Sequence, residues 1–143
     1  MITDDGKPAV RIDTDNAPFW EACREERLVA QQCGSCGSWR WPPAGVCPKC
    51  QSWDFEWREL PQRGKVVTFV VVHRSFHPSF DADVPYVIAE VAIDGTDDGV
   101  VLLTNVTGCD WEAVFVGMPV EAHFVARPEA TLPMFHPQSG ADA

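Results

Sequence analysis

Nowhere does the sequence hold an unbroken apolar run near the roughly 18 residues that a membrane-spanning helix needs, so no such helix is predicted. The first residues, Met1-Ile2-Thr3-Asp4-Asp5-Gly6, lack both the basic start and the apolar stretch of a secretory signal. Both absences point to a cytoplasmic protein without a membrane partner. Positive charge is also scarce: the formal net charge is -10, and beyond Arg74 only Arg127 stands against eleven acids. The local balance is -3 over residues 1–39, +3 over 40–74 and -10 over 75–143. Most of this surface would repel a long polyanion, whereas a compact anion could still be met by the middle segment.

Catalytic signatures are missing as well. There is no glycine-rich phosphate cradle, no serine elbow and no paired-carboxylate pattern. His73, His77, His123 and His136 show no metal-ligand spacing, although His73 and His77 bracket Arg74 at the end of an apolar run. His123 lies in an alternating segment and is expected at the surface. Cys23 falls on the apolar side of a helix and Cys109 adjoins Asp110, so both read as inert thiols. The chain is expected to be non-catalytic by itself.

What is present is a four-cysteine motif with the spacing C-x2-C-x10-C-x2-C, formed by Cys33, Cys36, Cys47 and Cys50. Thiolates at i and i+3 on a tight turn converge on one ion, and Gly37 permits the turn that follows the first pair. Closure by four sulfurs leaves no open position, so the ion, read as zinc, is structural and activates nothing. Disulfides would be the reading for a secreted chain. Iron also suits a thiolate tetrahedron, but Gln51 replaces glycine after the second pair, which argues against it.

Along the chain, residues 1–13 carry no apolar period and read as a loose tail. A helix is predicted from an Asp15 or Asn16 cap with Pro18 in its first turn, continuing through about Arg27. Short strands at 28–32, 39–41 and 53–58 surround the two knuckles. From Gly64 the texture becomes β-branched: strands are predicted at 65–73, 85–93, 100–106 and 120–126, with a short fifth at 132–135. A loop spans 74–84, a turn 94–99, and a helical turn or loop 109–116. The fold predicted is mainly β: tail and helix at 1–27, a rubredoxin-like zinc ribbon at 28–60, a five-stranded OB-fold barrel at 61–137 and a disordered tail at 138–143.

The order of short motifs is itself informative. Phe19-Trp20, the first knuckle, Trp41-Pro42-Pro43 and Cys47-Pro48-Lys49-Cys50 are followed by Gly64-Lys65-Val66-Val67-Thr68-Phe69. Pro85-Tyr86, Gly117-Met118-Pro119-Val120 and Leu132-Pro133-Met134-Phe135 come next. Over about residues 16–137 this resembles the zinc-ribbon/OB-fold family associated with acyl-CoA metabolism. The resemblance implies an accessory subunit of a thiolase, or of a lipid-transfer-protein-like aldolase that trims steroid side chains as CoA thioesters, with the chemistry in the partner. It further implies an acyl-CoA ligand enclosed with the barrel's help, and two copies around a partner dimer, a heterotetramer. Some relatives carry a hot-dog hydratase domain; none is read here, so hydratase chemistry is not expected. His136 stands where many relatives have arginine. Within that resemblance, the net-positive stretch makes Arg40, Arg58, Arg63, Lys65 and Arg74 the candidates for meeting CoA phosphates, unless they merely balance nearby acids.

Two other classes fit parts of the sequence. A free-standing acyl-CoA binder or thioesterase needs no partner. A single-strand nucleic-acid module could use Trp39, Trp41, Trp53 and Trp57 as stacking platforms, against the charge.

Overall fold

The chain's route is set by two β textures, short strands around the knuckles and long β-branched strands after residue 62. The computed structural model describes residues 6–138. Helix α1 (Ala17–Arg24) starts at Asn16 with Pro18 in its first turn, as predicted, and ends three residues short of the expected limit. Its cap differs in detail, because the Asn16 side chain turns back to accept from the Asp13 N–H at 2.8 Å instead of capping the helix.

The ribbon contains β1 (Val29–Cys33), β2 (Trp39–Arg40) and β3 (Phe55–Glu59), with β1 in the middle. The barrel follows as β4 (Arg63–Val72), β5 (Tyr86–Ile93), β6 (Val101–Val106), β7 (Pro119–Ala126) and β8 (Thr131–Pro137), closed in the order β4-β5-β6-β8-β7. The β4–β5, β5–β6, β7–β8 and β4–β7 pairs are antiparallel, and among the described residues β6–β8 is the parallel pair that completes the Greek key. This is the predicted five-stranded OB topology; the fifth strand spans 131–137, longer than its sequence signal.

Closure demands a close approach at Gly64, which pairs with Ile93 on one side and Val120 on the other. A β-carbon there would stand 2.3 Å from the Ala92 carbonyl oxygen, so no other residue fits without backbone movement. A bulge at Val66–Thr68 then bends β4 away from β7.

One apolar core runs through both parts. Phe19 and Cys23 of α1, Leu28 and Leu60 pack in the same cluster as Val66, Val91, Val120 and Phe135 of the barrel. A β-carbon on Gly99, in the β5–β6 hairpin, would lie 2.9 Å from that of Trp39, so barrel and ribbon touch there too.

Residues 6–13 are not loose. Lys7 pairs with Asp83 at 2.6 Å and sits over the Phe80 ring, and the Val10 N–H donates to Glu129 at 3.2 Å. At the other end Gln138 donates to the Pro119 and Val120 carbonyls. The rest of the tail expected to be disordered lies outside the described residues.

Candidate metal centre and charged surface

Each knuckle is made by the same local bonds. The Cys33 N–H donates to Ser38 O and Gly37 N–H returns to Cys33 O, at 2.9 and 3.1 Å. The Cys47 N–H donates to Ser52 O and Gln51 N–H returns to Cys47 O, both at 2.9 Å. Two cross-links hold the knuckles face to face: Ser35 Oγ to Ser52 Oγ, and Gly34 N–H to Asp54 O, each 2.9 Å.

Four sulfurs converge as a result. Cys33 and Cys50 Sγ are 3.5 Å apart, Cys36 and Cys47 Sγ 3.6 Å, and all four lie within 4.8 Å of one another. A tetrahedron with metal–sulfur bonds of about 2.3 Å requires edges of about 3.8 Å, so the set fits one ion. A disulfide needs about 2.05 Å and none of these pairs approaches it. Cys33 and Cys47 are buried, whereas Cys36 and Cys50 face outward.

The polar surroundings favour thiolates at the inner pair. The Ser38 hydroxyl, 3.5 Å from Cys47 Sγ, and the N–H groups of Cys50 and Lys49 hold the Cys47 thiol down to about 5. The N–H groups of Cys36 and Ser35 lower that of Cys33. Cys50 has a Ser52 N–H that favours its thiolate, yet the crowding of Cys33, Cys36 and Cys47 sulfurs pushes it up to about 12. Four thiols this close need a cation to ionise together.

Of the two remaining cysteines, Cys23 is buried as expected, whereas Cys109 is half-buried. Burial pushes the Cys23 thiol up to about 12, and burial followed by the Asp110 charge raises Cys109.

The five cations are not gathered into one site. Arg40 is only 3% exposed, and its Nη1 donates to Ala44 O at 2.7 Å while the guanidinium lies over Phe55. It cannot reach an external phosphate as it stands, which corrects its assignment as an anion contact. Gln31, its partner across the β1–β2 ladder, accepts from Ala44 N–H at 2.9 Å, so the pair clamps both polar groups of Ala44. Arg58 is engaged by Glu56 at 2.7 Å, and Arg63 lies 3.9 Å from Glu121. Lys65 is exposed at the β7 crossing, and Arg74, beyond the far end of β4, covers Phe76. At about 3.3 Å per residue, Arg63 and Arg74 are separated by on the order of 30 Å.

His123 also departs from expectation. It is half-buried, 2.7 Å from Thr107 Oγ1, with its ring 5.3 Å from that of His136, and burial followed by the His136 charge lowers its pKa.

Sequence reasoning gave no sign of an open groove of about 620 Å³ on the outer side of the barrel. Ile88, Leu103, Leu132 and Met134 line its floor, with Lys7 and Arg127 at its margins. Its walls come from the N-terminal segment and from the 78–86 loop, elements with no pattern linking them in sequence.

A closed four-thiolate knuckle pair in a three-stranded ribbon, joined through one core to a five-stranded Greek-key barrel, defines a zinc-ribbon/OB-fold protein. Residues 20–56 match the family model described as "ChsH2, rubredoxin-like zinc ribbon domain", and residues 57–125 match "ChsH2, C-terminal OB-fold domain". The chain belongs to this ChsH2-type DUF35 family.

It is 35% identical to a "DUF35 domain-containing scaffold protein" of Methanocaldococcus jannaschii, covering 73% of each chain. It is 39% identical to a "Probable enoyl-CoA hydratase alpha subunit" of Thermomonospora curvata, over 92% of this chain and 40% of that protein's length. It therefore spans less than half of that relative. Among solved structures, a chain of "Ltp2-ChsH2(DUF35) aldolase" superposes with a TM-score of 0.79 at 38% identity, covering 90% of this chain and 98% of that one.

Proposed function

We propose that this chain is the non-catalytic accessory subunit of a thiolase-superfamily enzyme acting on acyl-CoA. The partner would be a thiolase or a lipid-transfer-protein-like aldolase, with steroid side-chain CoA thioesters as a substrate class and a heterotetramer as the assembly. The observation that carries this reading is the 98% coverage, at 38% identity, of a chain from the Ltp2-ChsH2(DUF35) aldolase. The closed sulfur tetrahedron, best suited to structural zinc, and the inert Cys23 and Cys109 thiols support a chain that leaves chemistry to its partner.

Lys65 and Arg74 are the exposed cations best able to meet a CoA phosphate near such a partner, and Arg58 and Arg63 would first have to leave their acids. Trp39, Trp41 and Trp57 pack against the core, leaving only Trp53 of the four tryptophans strongly exposed, which disfavours a nucleic-acid stacking platform.

The test is co-expression with the thiolase-like protein encoded nearest to this chain, followed by size exclusion and CoA-thioester turnover. Co-elution with activity that needs both chains is the expected result. Separate elution, with partner activity indifferent to this chain, would overturn it.

A second reading, a free-standing acyl-CoA binder, is favoured by the outer groove, whose volume and apolar floor suit an acyl chain. Saturable binding of a CoA thioester to the isolated chain would promote it.

A further inference from the structure

Arg40 is a cation buried without an acid. Among the described residues no carboxylate forms an ion pair with it, and its Nε and Nη2 have no hydrogen-bond partner. Of the five N–H donors of a guanidinium, the contact to Ala44 O uses one, and the Phe55 ring adds a cation–π contact. A guanidinium cannot shed its proton to escape, so a buried one calls for negative charge nearby.

The ribbon's ladders show where that charge lies. Residues directly opposite one another in an antiparallel pair share a face, and so do residues two apart on one strand. Gln31 is opposite Arg40, Cys33 is two residues on from Gln31, and Phe55 is opposite Cys33. Arg40, Gln31, Cys33 and Phe55 therefore project from one face of the ribbon. To lie over Phe55, 4.9 Å from the ring centre, the Arg40 side chain crosses the central strand β1 on the way to the Cys33–Phe55 row. Diagonal neighbours such as Arg40 and Cys33 stand about 7–8 Å apart, within the reach of a long side chain. The other contact, Ala44 O at 2.7 Å, comes three residues before Cys47. Each partner of the guanidinium thus adjoins one of the two buried ligands.

Four thiolates around one divalent ion make a dianion, half of whose ligands are buried here. The other charges near the knuckles are exposed. Arg58 pairs with Glu56 at 2.7 Å, and Lys49 and Asp54 face solvent. Solvent and salt screen these groups, whereas the field of a buried cation is screened far less. No guanidinium nitrogen bonds to a sulfur, so Arg40 acts on the centre as charge on charge.

We propose that Arg40 is the buried counter-charge of the four-thiolate centre and tunes it toward a divalent ion. A divalent ion among four thiolates leaves a dianion and a trivalent one a monoanion, and a nearby cation favours the more negative of the two. This role is separate from holding Ala44, and it stands whether or not the chain is an accessory subunit.

The test uses the full chain loaded with zinc alone or with iron alone. Arg40→Met, which keeps the side chain's bulk and removes its charge, should weaken zinc binding about tenfold in competition with a chromophoric chelator. In the iron-loaded chain it should lower the ferric/ferrous potential, by about 59 mV for each tenfold loss of preference for the divalent ion. Arg40→Lys should stay near the wild type in both. Arg40→Gln, which retains a donor for Ala44 O, should follow Arg40→Met and serves in its place where the methionine variant does not fold. Gln31→Met loosens the hold on Ala44 but keeps the charge, so it should leave the potential unmoved. Arg58→Met, at an exposed cation beside the first knuckle, should move the potential far less than Arg40→Met. A folded neutral variant at position 40 with the wild-type potential overturns the proposal. So does a Gln31→Met shift as large as that of Arg40→Met, which would make the hold on Ala44 the whole effect.

Discussion

Gln51 occupies in the second knuckle the position that Gly37 occupies in the first, with φ of 61° against 76°. A side chain with a β-carbon therefore holds a left-handed turn that glycine adopts without strain. Gln51→Gly should relieve about 1 kcal/mol of backbone strain and lose part of that to unfolded-chain entropy, a net gain of about 0.5 kcal/mol. Metal-loaded protein in chemical denaturation would read it, and a loss of stability would mean that the Gln51 side chain contributes something its backbone angle conceals.

Arg40 should prove structural. Arg40→Ala removes the donor to Ala44 O and the cover over Phe55, and should cost about 2–3 kcal/mol. Arg40→Met should cost less, because it keeps the packing and eliminates the Nε and Nη2 atoms that have no hydrogen-bond partner among the described residues. Both can be ranked by thermal unfolding. Neither should change affinity for a CoA thioester in the complex, since Arg40 is shielded from solvent.

Metal removal should loosen the ribbon first. One zinc per chain is expected by elemental analysis, and a strong chelator should abolish the ribbon's amide protection, because such sites supply about 10–16 kcal/mol of apparent binding energy. Cys47→Ser, at the fully buried ligand, should lower metal content more than Cys36→Ser at the exposed one.

His123 gives the pH prediction. Its folded pKa lies below the ordinary value because burial, and then the His136 charge, disfavour the imidazolium. The unfolded chain therefore binds the proton more readily. The stabilisation is full above the unfolded pKa of about 6.5 and is lost as pH falls through the lower folded value. Ring-proton NMR should give a His123 midpoint below 6.5, rising on His136→Gln as the neighbouring charge disappears. A midpoint unmoved by that substitution would leave burial as the whole cause.

The ribbon and barrel were legible because their signals are local. Cysteine spacing fixes the two knuckles, and the β-branched runs from Lys65 onward carry their own period. What escaped depends on contacts distant in sequence. The tail looked loose because residues 1–13 have no apolar period, yet Val10 is held by Glu129, 119 positions away. His123 looked exposed from strict alternation, but Thr107 and His136 come from other strands' ends to shield it. Arg40 looked available because β2 is only two residues long, too short to reveal that the following loop folds over it.

The clamp on Ala44 also bears on how the ion is captured. Of the ten residues between Cys36 and Cys47, Ala44 is already tied to Gln31 and Arg40 on the strands that carry the first knuckle. The interval is thereby divided, leaving only Gly45 and Val46 to be closed before Cys47. Because closure entropy grows with the length still free, the clamp shortens the loop that has to close when both pairs of thiols take one ion. Wherever the Gln31–Arg40 clamp forms, metal uptake becomes a short local search by two ligands, and loss of the clamp should appear as slower loading as well as weaker retention.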